Sequence, residues 1–270
     1  MIIRPPQKPL LGLQINCTHS LTKRLKAAFV FNEGSGDRTY DSVARKSQVI
    51  TSAQGWKPGG ISFVTSGSNI ECGAQFQRIY DGLSPFSIFV RGNLNVLANG
   101  ATSNICGTFQ LSGDDTLLYF LDNYGTTEIR FRVYDDWSVM LNVSNPVSSD
   151  VYEQRDHDLV LVWDGVSKAS IYLNGSNLGW ATENINNVSQ FPDGNIVTGQ
   201  IGNKNSSSTP YNGTMHCSYF WERELSQSEI VQLHQSPYAM FEQPRKWWFV
   251  AAGGLSISAI ETLSFAEALD

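Results

Sequence analysis

Apolar residues come in short runs along the middle of the chain, each closed by Gly, Asn or Asp. The runs are Ala27–Phe31, Gly60–Val64, Phe86–Arg91, Ile105–Leu111, Leu117–Leu121, Ile129–Tyr134, Ser138–Val143, Asp158–Trp163, Ser170–Leu173, Thr198–Ile201 and Met215–Trp221. Eleven short β-rich segments with such punctuation predict an all-β sandwich or barrel. Asp164-Gly165 and Asn174-Gly175 each follow one of them, and such pairs tolerate the positive φ angles of tight turns. Two successive hairpins are therefore expected between Asp158 and Leu178. One window, Ser226–Gln235, reads as helix. Ser226 is placed to cap it, and Glu229 stands three residues later, the spacing of a capping box. Ile230, Leu233 and His234 fall on one side, which predicts a helix packed on the sandwich.

The ends read differently. Residues 1–21 hold Pro5, Pro6 and Pro9 with brief apolar runs, which predicts an extended arm lying on another surface. The domain proper is expected over 22–244, followed by a second arm over 245–270. That arm opens with Lys246-Trp247-Trp248-Phe249-Val250, which reads either as an exposed contact patch or as a terminal strand closing a sheet. Leu255–Ile260 then alternates apolar and polar, as in a segment ordered by a partner. Pro5, Pro6, Pro9, Trp247, Trp248 and Phe249 are the expected attachment residues.

Composition narrows the class. A length of 270 residues suits one large β domain with extensions, and 41% hydrophobic against 16% charged residues predicts a packed core rather than disorder. The net charge of −6 is spread thinly, which argues against a nucleic-acid partner. No stretch of about 18 apolar residues predicts a membrane span, and the proline-rich Met1–Pro6 does not resemble a signal peptide. Cys17, Cys72, Cys106 and Cys217 form no CxxC pair and are read as free thiols, mostly buried. The six Asn-x-Ser/Thr sites, beginning at Asn16, Asn142, Asn174, Asn187, Asn205 and Asn212, read as turns.

Chemistry is sparse. There is no Gly-x-Ser-x-Gly elbow, and the four histidines stand apart in sequence. Neighbouring carboxylates on a strand point to opposite faces, so Asp114-Asp115 and Asp135-Asp136 read as solvated turns. Asp156 and Asp158 would share a face with His157 opposite. That spacing allows an acid/base or metal arrangement, or simply the start of a strand whose next residues enter the core. Sugar binding needs an aromatic platform beside amides or carboxylates. Candidates are Trp137 with Asp135 and Asp136, Tyr124 with Asp122 and Asn123, and Trp180 with Asn177. Trp163 and Trp221, inside β-rich runs, are assigned to the core.

Several motifs in order resemble the laminin-G-like, concanavalin-A-like jelly roll. They are Phe29–Asp37, Tyr40-Asp41-Ser42, Gly55–Phe63, Pro85–Val90, the hairpins ending at Asn174-Gly175, and Leu225-Ser226 with Glu229-Ile230. The resemblance covers roughly 22–240 and implies a two-sheet sandwich with one short C-terminal helix. Relatives of this fold bind calcium in loops, which would make Asp37, Asp41 and Asp164 the candidate ligands; the residues themselves read as ordinary turn acids, and no cofactor other than calcium is implied. The fold also hosts laminarinase-type hydrolases with a Glu-x-Asp-x-x-Glu strand, and no Glu-x-Asp occurs here.

At the edges, Leu11–Leu21, Pro237–Phe241 and Glu261–Phe265 look similar to jelly-roll proteins of tailed-bacteriophage virions. This implies a non-enzymatic structural protein on the virion surface, a capsid decoration or head or tail protein. Its partners would be the major capsid or tail protein and its own copies. The alternative is an adhesin for cell-surface glycans, and a glycoside hydrolase is the third reading.

Overall fold

The alternation of apolar runs with turn residues resolves into two antiparallel sheets. The computed structural model describes residues 8–10, 12, 14–51, 54–63, 68–72, 84–95, 102–109, 118–124, 128–135, 138–146, 153–165, 168–178, 182–185, 198–202, 211, 213–241, 249–250 and 256–257. The strands are β1 (Leu25–Phe29), β2 (Arg38–Asp41), β3 (Lys46–Thr51), β4 (Gln54–Lys57), β5 (Gly60–Phe63), β6 (Asn69–Glu71), β7 (Phe86–Asn95), β8 (Thr102–Phe109) and β9 (Leu118–Tyr124). They continue with β10 (Glu128–Asp135), β11 (Ser138–Pro146), β12 (Glu153–Trp163), β13 (Ala169–Leu173), β14 (Ser176–Asn177), β15 (Thr182–Ile185), β16 (Thr198–Ile201) and β17 (Gly213–Trp221). All eleven expected runs fall in or across these strands. The strands without an apolar run, β2, β3, β4, β6, β14 and β15, are short and mostly polar.

The first sheet runs β14–β13–β12–β7–β17–β1–β2–β3, with the β4–β5 hairpin joined to β17 beyond the end of β1. The second runs β3–β6–β16–β8–β9–β10–β11–β15. Strand β3 serves both: Lys46–Val49 pair with β2, then Ile50 and Thr51 pair with β6. One core fills the space between the sheets, with Phe86, Ile88, Leu161 and Trp163 facing Ile105, Ile129, Phe131 and Ile201. Phe86 meets Phe131 edge to face, with ring centroids 6.1 Å apart.

A second apolar layer lies on the outer face of the first sheet. Phe89, Val160, Val162, Tyr219 and Trp221 are covered there by Leu21, Ile230, Leu233, Met240 and Phe241. Where both faces are buried, at residues 86–90 of β7, 159–163 of β12 and 219–221 of β17, the strands read as nearly continuous apolar runs.

The helix α1 (Gln227–Gln235) forms this cover as the sequence predicts. Ser226 Oγ accepts from the Glu229 amide, Glu229 Oε2 accepts from the Ser226 amide, and Arg223 forks onto Glu229 at 2.7 and 2.8 Å. Ile230 and Leu233 are buried beneath it. The turn between β13 and β14 is Asn174-Gly175, with φ values of 50° and 80°, and the Gly175 carbonyl accepts from Gln227 Nε2 at 2.8 Å. The N-terminal segment completes the cover. Ile15 forms a β-bridge with Phe241, Asn16 N donates to the Met240 carbonyl at 2.9 Å, and Trp221 Nε1 donates to the Leu21 carbonyl at 2.6 Å. Phe249–Val250 (β18) and Ser256–Ile257 (β19) pair with each other as a separate hairpin.

Candidate functional site

Alternation along β7 and β12 changes the character of the sheet's outer face from one end to the other. Val160 pairs with Phe89 under the helix; two residues along, Asp158 pairs with Arg91; two further, Asp156 pairs with Asn93. Each step of two keeps the side chains on one face. The face is therefore apolar where α1 covers it and charged beyond. Strand β17 supplies the third row, with Cys217 opposite Arg91 and a register shift between Met215 and Cys217 that adds His216 to the polar end.

The polar rows form a connected network. Arg91 Nη1 lies 3.2 and 3.3 Å from the two oxygens of Asp158, and His234 Nδ1, on the last turn of α1, lies 2.7 Å from Asp158 Oδ2. Asp158 is 3% exposed, so this cluster fastens the helix to the sheet. Burial pushes its carboxyl pKa up, and the charge of Arg91 is the first effect to oppose that.

Asp156 differs. Its side chain is 44% exposed, and Oδ1 lies 2.7 Å from His216 Nε2. The bond from His216 pulls its carboxyl pKa below the usual range against a smaller penalty from burial, and the Arg91 charge and a bond from Asn93 pull the same way. The other nitrogen of His216, Nδ1, lies 2.6 Å from the carbonyl of Gly59 in the β4–β5 turn. Asn93 Oδ1 accepts from Thr214 N at 3.0 Å, which fixes that amide. Lys8 of the N-terminal segment reaches the same corner and donates to the carbonyls of Val30, Phe31 and His216 at 2.6, 3.2 and 2.7 Å. The result is one exposed, oriented carboxylate on a rigid sheet, flanked by an amide, an imidazole and a guanidinium.

His157 points the other way, as alternation requires. Its Nδ1 lies 3.1 Å from Asn174 Nδ2, and the ring lines a small enclosed space between the sheets with Val90, Gly92, Leu159 and Tyr211. Of the loop acids, Asp37 is exposed. Asp41 is fully buried, and its Oδ1 accepts from the amides of Ala28, Val43 and Ala44 at 3.1, 2.9 and 3.3 Å. Asp164 Oδ1 accepts from Lys168 N at 2.9 Å. Among the described residues no three His, Cys, Asp or Glu side chains gather as metal ligands would.

Tyr124 closes β9 and Asp135 closes β10, while Asp136, Trp137 and Trp180 lie outside the described residues. Of the expected attachment residues, Pro9 accepts from Asn32 Nδ2 at 2.8 Å and Phe249 opens β18. Pro5, Pro6, Trp247 and Trp248 lie outside the described residues. Arg91, Asn93 and His216 escaped sequence reasoning. Arg91 is legible afterwards as the outward position after Phe89, whereas the bulge that turns His216 outward leaves no periodic mark.

This architecture has known counterparts. A family model described as the concanavalin A-like lectin/glucanases superfamily matches residues 94–231. The chain belongs to this superfamily. The match takes in β8 to β17 and most of α1, including Asp156, Asp158 and His216 of the polar shelf. Among solved structures that share the fold, Trypanosoma rangeli sialidase bound to a difluoro-KDN aligns with a TM-score of 0.57 and 18% identity over 86% of this chain. The same sialidase bound to sialic acid aligns with a TM-score of 0.58 and 17% identity over 80% of this chain. A botulinum neurotoxin type C structure, described as depending on two ganglioside molecules for cell entry, aligns with a TM-score of 0.58 and 11% identity over 78% of this chain. The chain spans 34%, 33% and 50% of those chains, respectively. No match was found among curated proteins.

These likenesses show the fold, and they correct one expectation. The non-enzymatic assignment does not stand, because the architecture is shared over most of this chain with sialidases, which are glycoside hydrolases. The missing Glu-x-Asp strand excludes one arrangement of carboxylates and not the chemistry, since one fold carries many sites.

Proposed function

We propose that the chain is a glycan-recognition module and that the shelf around Asp156 is its hydrogen-bonding edge. The observation that carries this reading is the exposed Asp156 carboxylate, held in one orientation by His216 and Asn93 beside the Arg91 guanidinium. A carboxylate accepts bonds from two neighbouring sugar hydroxyls, and an immobilised one loses little freedom on binding. Membership of a lectin and glucanase superfamily supports the same class of ligand, and sialosides are the first to test, given what the similar structures are described as binding. Tyr124, Asp135, Asp136, Trp137 and Trp180 would supply the stacking platform. Asp37, Asp41 and Asp164 are the acids on which any calcium requirement would depend.

A glycan array with the full chain tests the proposal, with and without a calcium chelator. Asp156→Asn is expected to weaken capture at least about tenfold, the worth of one charge-assisted bond, and Trp137→Ala and Tyr124→Ala are expected to weaken it further. Undiminished capture by Asp156→Asn, or no specific glycan at all, would reject the shelf. Assaying the same samples for released sugar tells holding from cleavage.

A second reading, attachment at a bacteriophage virion surface through the terminal arms, is favoured by the pairing of Ile15 with Phe241. Arms extending from those two neighbouring points would meet a capsid or tail protein together. Removing residues 1–7 or 245–270 should lower incorporation into particles; full incorporation of both truncated chains would dismiss the idea.

A further inference from the structure

The ring of His216 stands between two acceptors. Gly59 offers a backbone carbonyl 2.6 Å from Nδ1, and Asp156 offers a carboxylate oxygen 2.7 Å from Nε2. A carbonyl and an ionised carboxylate can only accept, so each ring nitrogen must donate. A neutral imidazole has one N–H and satisfies one neighbour; the doubly protonated ring satisfies both. The ring also has little room to turn away. A β-carbon at Gly60 would lie 2.5 Å from the Met215 carbonyl and 2.9 Å from His216 Nδ1, so the β4–β5 turn lies close against the ring. The backbone carbonyl of His216 is held in turn by Lys8.

We infer that His216 is a proton-operated clamp: only while its ring carries both protons does it hold the β4–β5 turn and the Asp156 carboxylate of β12 at once. The proposal deepens the glycan reading of this shelf and rests on it for its consequence, a ligand grip that tightens as pH falls through the range in which histidines titrate, about 5 to 8. The charged and titratable groups near the ring are Asp156 and Asp158 on β12, Arg91 on β7, Lys8 of the N-terminal segment and Lys57 of the turn. Of these, Asp156 is the one hydrogen-bonded to the ring. On deprotonation one of two bonds is lost: either the turn is released from the ring, or Asp156 is freed to rotate. Both outcomes loosen the same corner, which is why a single proton acts on an element and a side chain at once.

Two measurements separate the clamp from the ligand reading. The first uses the full chain labelled with 15N-histidine, followed by NMR from pH 5 to 9. Two His216 ring N–H signals are expected at the acidic end and one above the transition, with amide exchange at Gly59 and Gly60 rising several-fold across the same interval. His216→Gln should make turn exchange independent of pH. A ring with a single N–H at pH 5, or turn exchange that stays pH-dependent in His216→Gln, overturns the clamp. The second measurement titrates sialyllactose and lactose onto the same proteins at pH 5.5 and 8. Tighter binding at pH 5.5 in the parent chain, lost in His216→Gln, supports the coupling; binding equal at both pH values overturns it. If neither sugar binds at any pH while both ring protons are seen, the glycan reading falls and the clamp stands as a structural device.

Discussion

Asp158 and Asp156 are two residues apart on one strand and face the same way, yet their surroundings give them opposite tasks. Asp158 is shut between Arg91 and His234 and is therefore a fastening. Taking away one partner of a buried pair leaves an uncompensated charge, which costs about 3 kcal/mol or more. Arg91→Met should accordingly lower the unfolding free energy read from urea titration by an amount of that order, and adding Asp158→Leu should recover most of it. A double variant no more stable than the single one would mean that the charge pair is not the origin of the loss. Asp156 keeps one side in water, and its depressed pKa has a different consequence. Its favourable contribution is present above the ordinary carboxyl value of 3.8 and is lost as the pH falls through its lower folded value. Its stabilising role and its accessibility therefore coexist at neutral pH, which a binding group requires.

At the scale of elements, legibility in the sequence followed burial. The apolar halves of β7 and β12 are buried on both faces, so their runs, residues 86–90 and 159–163, are nearly continuous and easily seen. The strands β2, β4 and β6 carry few apolar residues, with Thr39, Asp41 and Asn69 buried as polar side chains, and only their partners make them strands. The Asn174-Gly175 turn was legible for a separate reason: its backbone needs positive φ at both positions, and few residue pairs permit that. The polar shelf was half legible. Alternation placed Asp156 and Asp158 together, but their partners arrive from β7, β17, α1 and the β4–β5 turn, which no local pattern connects.

Helix α1 was legible through its cap, and the cap gives a direct test. Ser226→Ala removes the side-chain acceptor of the Glu229 amide and should cost about 1 kcal/mol, whereas Ser226→Gly should cost only a few tenths. Urea unfolding reads both; equal losses would show that the box adds nothing to the packing of Ile230 and Leu233.

For the whole molecule, the third layer is the distinguishing feature: α1 and the two terminal segments cover what would otherwise be an apolar outer face. Lys8 ties the N-terminal part of this cover to Val30 and Phe31, just beyond β1, and to β17 by way of three carbonyls. Burial pushes its ammonium down to about 8 from 10.5. The unfolded chain then holds the proton more firmly than the folded one between those values, so stability should rise with pH across that window. Lys8→Met should abolish the rise, as read from urea midpoints at pH 7.5 and 9.5; a variant that keeps the parent's dependence would assign it elsewhere.

The bridge between Ile15 and Phe241 has a mechanical consequence. A load pulling Ile15 and Phe241 apart would act on a single short rung, one bond at a time, and not along the long ladders of β7, β12 and β17. Under tension the outer cover would peel first and uncover Met240, Phe241 and the residues beneath them, while the sandwich behind stayed closed. Pulled between those two points, the domain would yield gently at its cover and remain stiff along its long ladders.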